Sequence, residues 1–258
     1  MGRTESTPLP LAQQRRRNLP ASAAFGWLAA GWRDLWRKPL PSLAYGLVVF
    51  VLSLAVVTCL FRLELDYILF PALAGFMVVG PLVAIGLYQK SRDLEDGRPV
   101  SLASMIFVKA ESGAQVWFTG AILCLLMLVW MRAAVIIYAL FFGLRPFPGI
   151  DHIAAMLFTT PQGWGMLVVG AVVGGLFAAF SFAISTFSIP MLLAEKIDAF
   201  TAMGTSISMV FRNLPVMLMW GAIVLVLFLI GVVTGLVGLI VIFPLLGHAT
   251  WHSYRAIR

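Results

Sequence analysis

Five stretches without a single Asp, Glu, Lys or Arg, residues 39–61, 67–89, 112–131, 152–194 and 213–254, govern what this chain can fold into. A helix crossing the roughly 30 Å hydrocarbon core of a bilayer needs about 20 predominantly apolar residues. The first three stretches fit one such helix each. The last holds two, joined by a turn around Gly231, Thr234 and Gly235, and the fourth opens with a loop at 159–163 (Thr159, Thr160, Pro161, Gln162, Gly163) that leaves one long span. The expectation is an all-α membrane protein with six transmembrane helices, at about 41–61, 67–89, 115–138, 167–193, 214–232 and 235–253. Composition excludes the soluble alternative, since 61% hydrophobic and 11% charged over 258 residues leaves more apolar surface than one core can hide.

Lysine and arginine resist translocation and collect on the cytoplasmic side. With the N-terminus inside, the inner segments hold fifteen of the eighteen basic residues, and only Arg62, Arg132 and Arg145 remain outside. That asymmetry predicts an N-in, C-in topology. It also accounts for the net charge of +7 as a basic rim facing anionic lipid headgroups, so no nucleic-acid partner is implied. The partners expected are the bilayer and a protein or second copy. Residues 1–20, with the run Arg15–Arg17 and no apolar face, read as a disordered basic tail, and 21–258 as a single membrane domain.

An amphipathic segment precedes the first span. Phe25, Leu28, Trp32, Leu35 and Trp36 share one helical face, with Arg33, Asp34, Arg37 and Lys38 opposite. Trp27, Trp32 and Trp36 beside Arg37 suit the headgroup boundary. The same stripe recurs 175 residues later as Phe200, Met203, Ile207, Val210 and Phe211, with Arg212 matching Arg37 and Gly221 matching Gly46. A weaker copy places Leu102 and Ile106 opposite Leu28 and Trp32. Pro81, Pro190 and Pro244 each interrupt a second span, and Arg92 and Arg255 follow their proline by eleven residues. These marks predict three parallel repeats of surface helix plus hairpin, about 21–98, 99–196 and 197–258, related by an axis along the membrane normal. A proline inside a span frees a carbonyl that must find a partner or face a cavity. Three such kinks either outline a groove or only shape helix packing.

Chemistry-bearing residues are few. Arg132 falls roughly 25 Å along its helix if that helix starts near Gln115, close to the outer boundary. It snorkels to the headgroups there, or pairs with Glu64 or Asp66. His248 and His252 lie four apart on one face and are the only candidates for a metal or haem, against the plainer reading of an interface belt. The segment with Asp93, Glu95 and Asp96 among Lys90, Arg92 and Arg98 reads as mixed and solvated. Gly170 and Gly174 form a close-packing face. There is no His-Glu-x-x-His, Gly-x-Ser-x-Gly or phosphate loop, and no carboxylate inside a span. No cofactor and no catalytic activity are expected.

The stretches Trp27–Leu35, Val79–Tyr88 and Phe243–His252 resemble an uncharacterised bacterial family of predicted inner-membrane proteins, a domain of unknown function. The resemblance extends over nearly the whole chain beyond the tail and implies a polytopic protein of the bacterial inner membrane. Some members carry the label of cytochrome c oxidase subunit I. Three histidines, two of them within five residues, cannot supply the six ligands of such a core. The leading expectation is a structural or accessory protein that binds partner proteins or lipid through its tryptophan-rich surface helices. The alternative is a transporter or channel for an apolar or amphiphilic solute, which requires a continuous cavity lined by Pro81, Pro190 and Pro244.

Overall fold

The computed structural model describes residues 18–143 and 149–258. The tail expectation for residues 1–17, and Arg145, lie outside the described residues. Among the described residues every regular element is helical: α1 Ala23–Trp36, α2 Pro39–Arg62, α3 Leu69–Val83, α4 Ile85–Glu95, α5 Leu102–Ile106, α6 Gly113–Phe142, α7 Ile150–Thr159, α8 Pro161–Ser185, α9 Ser188–Ala194, α10 Ala199–Arg212, α11 Leu214–Val233 and α12 Leu239–Ile257. Among the described residues five segments are long and apolar enough to cross a membrane, namely α2, Asp66–Glu95, α6, Pro161–Ala194 and α11.

Local chemistry sets these boundaries. Pro39 and Pro161 open α2 and α8 in the first turn, where a missing N–H costs nothing. Thr160 caps α8 by accepting from the Gly163 N–H at 3.0 Å. The loop expected at 159–163 is thereby reduced to Thr160 alone, because Ile150–Thr159 forms the amphipathic helix α7 and Pro161 starts the next one at once. The expected turn around Thr234 is present, with Thr234 Oγ1 accepting from Gly238 N–H at 3.0 Å.

The sixth expected span, 235–253, becomes α12, which is not one of the five lipid-suited segments. Its second half carries His248, Thr250, His252, Ser253 and Arg255. Protein rather than lipid surrounds it, since α1, α2, α4 and α11 all pack against α12. A helix buried on most sides by protein is free to be polar where its neighbours supply partners. Close approach makes this packing possible. A Cβ on Gly31 of α1 would lie 2.6 Å from the backbone nitrogen of Ala249, and one on Gly46 of α2 would strike the carbonyl of Ile240. That carbonyl is the one Pro244 leaves without its helical donor.

The other two prolines act differently. Downstream of Pro81 the helix breaks at Ala84, and Leu87 N–H bonds back to Ala84. The bypassed Val83 carbonyl accepts the Tyr45 hydroxyl at 2.6 Å. The fourth span breaks before its proline, at Thr186 and Phe187, so Pro190 sits harmlessly in the first turn of α9. Ser206 of α10 repairs this break, accepting from Phe187 N–H at 3.2 Å and donating to the Ala183 carbonyl at 2.7 Å.

Two packed groups result. On one side α3, α6 and α8 pack together; on the other α12 gathers α1, α2, α4 and α11. The main core lies at the end that carries the basic residues. It includes Trp27, Tyr88, Met105, Phe187, Trp220 and Trp251.

Candidate functional site

At that basic end a chain of polar side chains crosses the interior between α1, α2, α4 and α12. Lys90 on α4 is fully buried, as are Ser42, Ser91 and His248, and Asp34 is 6% exposed. Lys90 Nζ donates to Ser42 Oγ at 2.6 Å and to the carbonyls of Lys38 at 3.0 Å and Leu35 at 3.5 Å. Ser42 Oγ lies 2.9 Å from His248 Nε2, and Ser91 Oγ lies 2.8 Å from His248 Nδ1. Ser91 also bonds Asp34, whose Oδ2 is 2.7 Å from His252 Nε2.

The donor inventory fixes the direction of this chain. An ammonium only donates, so Ser42 accepts from Lys90 and gives its own hydrogen to His248 Nε2. The neutral His248 ring then carries its hydrogen on Nδ1 and donates to Ser91, which donates to Asp34. His252 donates to the same carboxylate from the other side. Burial alone would raise the Asp34 carboxyl, but the hydrogen bonds from His252 and Ser91, with the charge of His252, leave it below the ordinary carboxylate value.

Chemically the chain is a fastener. It ends at Lys90 against the carbonyls of Leu35 and Lys38, at the C-terminal end of α1, where a cation complements the helix dipole. Both nitrogens of His248 are held by serines and Nε2 of His252 faces Asp34. Among the described residues no group of three or more His, Cys, Asp and Glu is placed to hold a metal.

The segment around Lys90 was expected to be solvated, yet Lys90 and Asp93 are buried. Helix α4 runs on through Glu95 and packs against α12 and α5, which removes these side chains from water. Asp93 accepts from Gln89 at 2.8 Å and pairs with Arg98 at 3.0 Å. Glu95 accepts from Trp251 Nε1 at 3.1 Å and pairs with Arg255, while Glu195 accepts from the Tyr254 hydroxyl and pairs with Arg258. Arg92 donates to the Leu193 carbonyl at 2.9 Å.

The stripe expected on α1 divides. Leu35 is buried with Ala24, Trp27, Gly31 and Asp34, whereas Phe25, Trp32 and Trp36 face outward. Trp27 turns in to meet Trp220 edge-on at 6.0 Å; Trp32 and Trp36 stand edge-to-face at 5.5 Å on the surface. Asp34, read as part of the polar outer face, points inward because Ser91 and His252 await it. Arg37 and Arg212 are exposed. Arg132 is exposed on α6, about 28 Å from its start at 1.5 Å per residue, and makes no ion pair with Glu64 or Asp66.

A cleft of about 640 Å³ separates α3 and α8 from α11 and α12. Pro81 lines it; Pro190 and Pro244 do not. Its walls are almost wholly apolar, with Phe76 stacked on Phe228 at 6.1 Å and tilted against Phe243 at 5.8 Å. Gly174 lies under Trp130 while Gly170 meets nothing, so the close-packing face expected of that pair is realised only at Gly174.

Neither a curated protein nor a solved structure matches the chain. A family model does, over α3 to α9, a narrower extent than the three resembling stretches suggested. Of those stretches it contains Val79–Tyr88, and with it Lys90 and Ser91, whereas Trp27–Leu35 and Phe243–His252 lie outside. With five lipid-suited segments among its described residues the protein is a multi-pass integral membrane protein, and its residues 69–194, just under half of the chain, match the family described as predicted integral membrane protein, DUF2189.

Proposed function

We propose that this is a non-catalytic accessory protein of the bacterial inner membrane that binds anionic lipid through the surface helices at its basic end. The observation that carries the reading is the outer face of α1. Phe25, Trp32 and Trp36 are 46–55% exposed there, with Arg33 and Arg37 exposed beside them. Aromatic rings interleaved with arginines fit the headgroup boundary of a negatively charged leaflet. Helix α10 offers a second such face with Phe200, Phe211 and Arg212. The ionisable groups buried beneath are tied to one another, which leaves the exposed ones to meet a partner.

The same reading has six crossings, α12 included, with both termini cytoplasmic, and three parallel repeats. Contacts support the repeats. Each surface helix packs against the second span of the preceding unit: α5 on α4, α10 on α9, and α1 on α12. Burial on α1 at Ala24, Trp27, Gly31, Asp34 and Leu35 recurs on α10 at Ala199, Ala202, Ser206, Met209 and Val210, each 175 residues on. Gly86, five residues after Pro81, touches Met105, and Ala249, five after Pro244, touches Gly31. The pair Gly31 and Met105 keeps the spacing that aligns Leu28 with Leu102. Because only Pro81 lines the cleft, the cavity condition set for transport is unmet, which favours the accessory role.

The test is purification in mild detergent with identification of bound lipids and proteins. Anionic phospholipid should be enriched over its share of the membrane extract. A variant with Trp32→Ala, Trp36→Ala, Arg33→Gln and Arg37→Gln should lose most of that enrichment while remaining folded. Equal lipid profiles for the two proteins refute the reading. Cysteine labelling from each side of the membrane checks the topology.

A further inference from the structure

We propose that the cleft between α8 and α11 is a binding site for one bilayer phospholipid with an anionic headgroup, entered sideways from the membrane. The inference rests on the lipid-binding role above but places a second, enclosed site away from the face of α1. Its volume of about 640 Å³ lies inside the range of small-molecule sites, about 300–1,000 Å³. Small residues create the space: Gly174, Gly175, Ala178 and Ala179 on α8 lie across from Gly221 and Ala222 on α11. A Cβ on Gly175 would meet nothing within 4 Å, and one on Gly221 would meet only the tip of Phe182 at 3.9 Å.

The walls determine the occupant. Water needs several polar partners, and an apolar cavity stays dry. Of the five hydroxyls lining this cleft, three are spent on their own helices, Ser181 on Phe177, Thr186 on Phe182 and Thr250 on Leu246. A void left empty would forfeit the dispersion contacts of its whole lining. What can fill it is hydrocarbon, and hydrocarbon has a way in. Leu218 and Leu225 line the cleft and are also 65% and 47% exposed, so the opening faces the apolar surface of the spans between α8 and α11. An acyl chain passes from bilayer to cleft without crossing water.

The headgroup assignment follows from charge. Phe211 and Leu214 line the cleft at its basic end, and the exposed Arg212 lies between them in the chain. Among the described residues no acidic one lines the cleft. A chain seated against Phe76 and Phe228 therefore brings its phosphate toward a guanidinium, which binds phosphate as a planar fork.

The experiment uses the full chain in vesicles containing either phosphatidylglycerol or phosphatidylcholine that carries a photoreactive group midway along one acyl chain. Crosslinks are mapped by mass spectrometry. With phosphatidylglycerol they should fall on cleft residues of α8 and α11. Gly221→Leu, which fills open space and should leave the melting temperature intact, should reduce them about tenfold, the change made by 1.4 kcal/mol. Arg212→Gln should bring phosphatidylglycerol down to the level of phosphatidylcholine. Crosslinks confined to the outward faces of α2 and α6, equal labelling by the two lipids in the unaltered protein, or a second copy's helix found in the cleft would each overturn the proposal. Loss of cleft labelling with the α1 variant still depleted of anionic lipid refutes this site alone. Cleft labelling that survives while the α1 variant keeps its lipid refutes the surface-helix reading alone.

Discussion

Replacing Lys90 with Met tests the fastening of α1 most directly. Methionine keeps the length of the stem and removes only the ammonium. Three acceptors lose their donor: Ser42 Oγ and the carbonyls of Lys38 and Leu35. The Leu35 contact, at 3.5 Å, is long and contributes least. Two good buried bonds from a charged donor, at about 1.5–3 kcal/mol each, give a loss of roughly 3–6 kcal/mol, comparable with breaking a buried ion pair. The loss should be local, because every acceptor belongs to the end of α1 or the start of α2. Hydrogen–deuterium exchange in detergent should therefore speed up in α1 by about a hundredfold or more, at tenfold per 1.4 kcal/mol, while α6 and α8 exchange as before. In a double-mutant cycle with Ser42→Ala, the two losses should add to less than their sum, with a coupling of about 0.5–3 kcal/mol. Unchanged exchange in α1, together with simple additivity, would show that the chain does not hold this helix.

Three further outcomes are expected. The Asp34 carboxyl is held below its usual value in the folded protein. Its contribution is therefore present above about pH 4, the unfolded value, and is lost as pH falls through the folded one. Melting curves of Asp34→Asn should lack that acid-side fall, and curves parallel to the unaltered protein would refute the assignment. Gly31→Ala drives a methyl onto the Ala249 backbone and should cost about 1–3 kcal/mol, while Gly204→Ala on α10, where a Cβ meets nothing, should be neutral or stabilising by up to about 1 kcal/mol. Arg132→Leu should change stability by no more than about 0.5 kcal/mol in detergent and leave the bound lipid unchanged, since the side chain is exposed and unpaired with either acid proposed for it.

Spans were legible where charge marked their ends. The stretch 39–61 became Pro39–Arg62, and the turn at Thr234 sits where its glycines placed it. What escaped was everything decided by distant partners. Lys90 ends an apolar run and looks like any rim lysine, but its burial depends on Ser42 and on the end of α1, about fifty residues earlier. Asp34 sits between arginines and looks solvated, yet its partner His252 is 218 positions away. One signal was available: a lone carboxylate on the first surface helix and two histidines on one face of the last helix are complementary sets. The breaks at Ala84 and Thr186 escaped for a related reason. A proline states that a helical bond is missing nearby, whereas where the helix gives way depends on which side chain, Tyr45 or Ser206, stands ready to take up the freed groups.

The placement of α12 at the centre has a consequence for biogenesis. Asp34 leaves the ribosome 218 residues ahead of His252, an interval of roughly 10 to 45 s at about 5–20 residues per second. Throughout that interval the carboxylate of α1, and the hydroxyl of Ser42, are without the imidazoles that complete them. The polar contacts between α1 and α2 stay half-assembled, open to insertion factors and proteases, until α12 arrives. A nascent chain arrested before residue 248 should be cleared far faster than one arrested after residue 252, although the two differ by less than a turn and a half of helix.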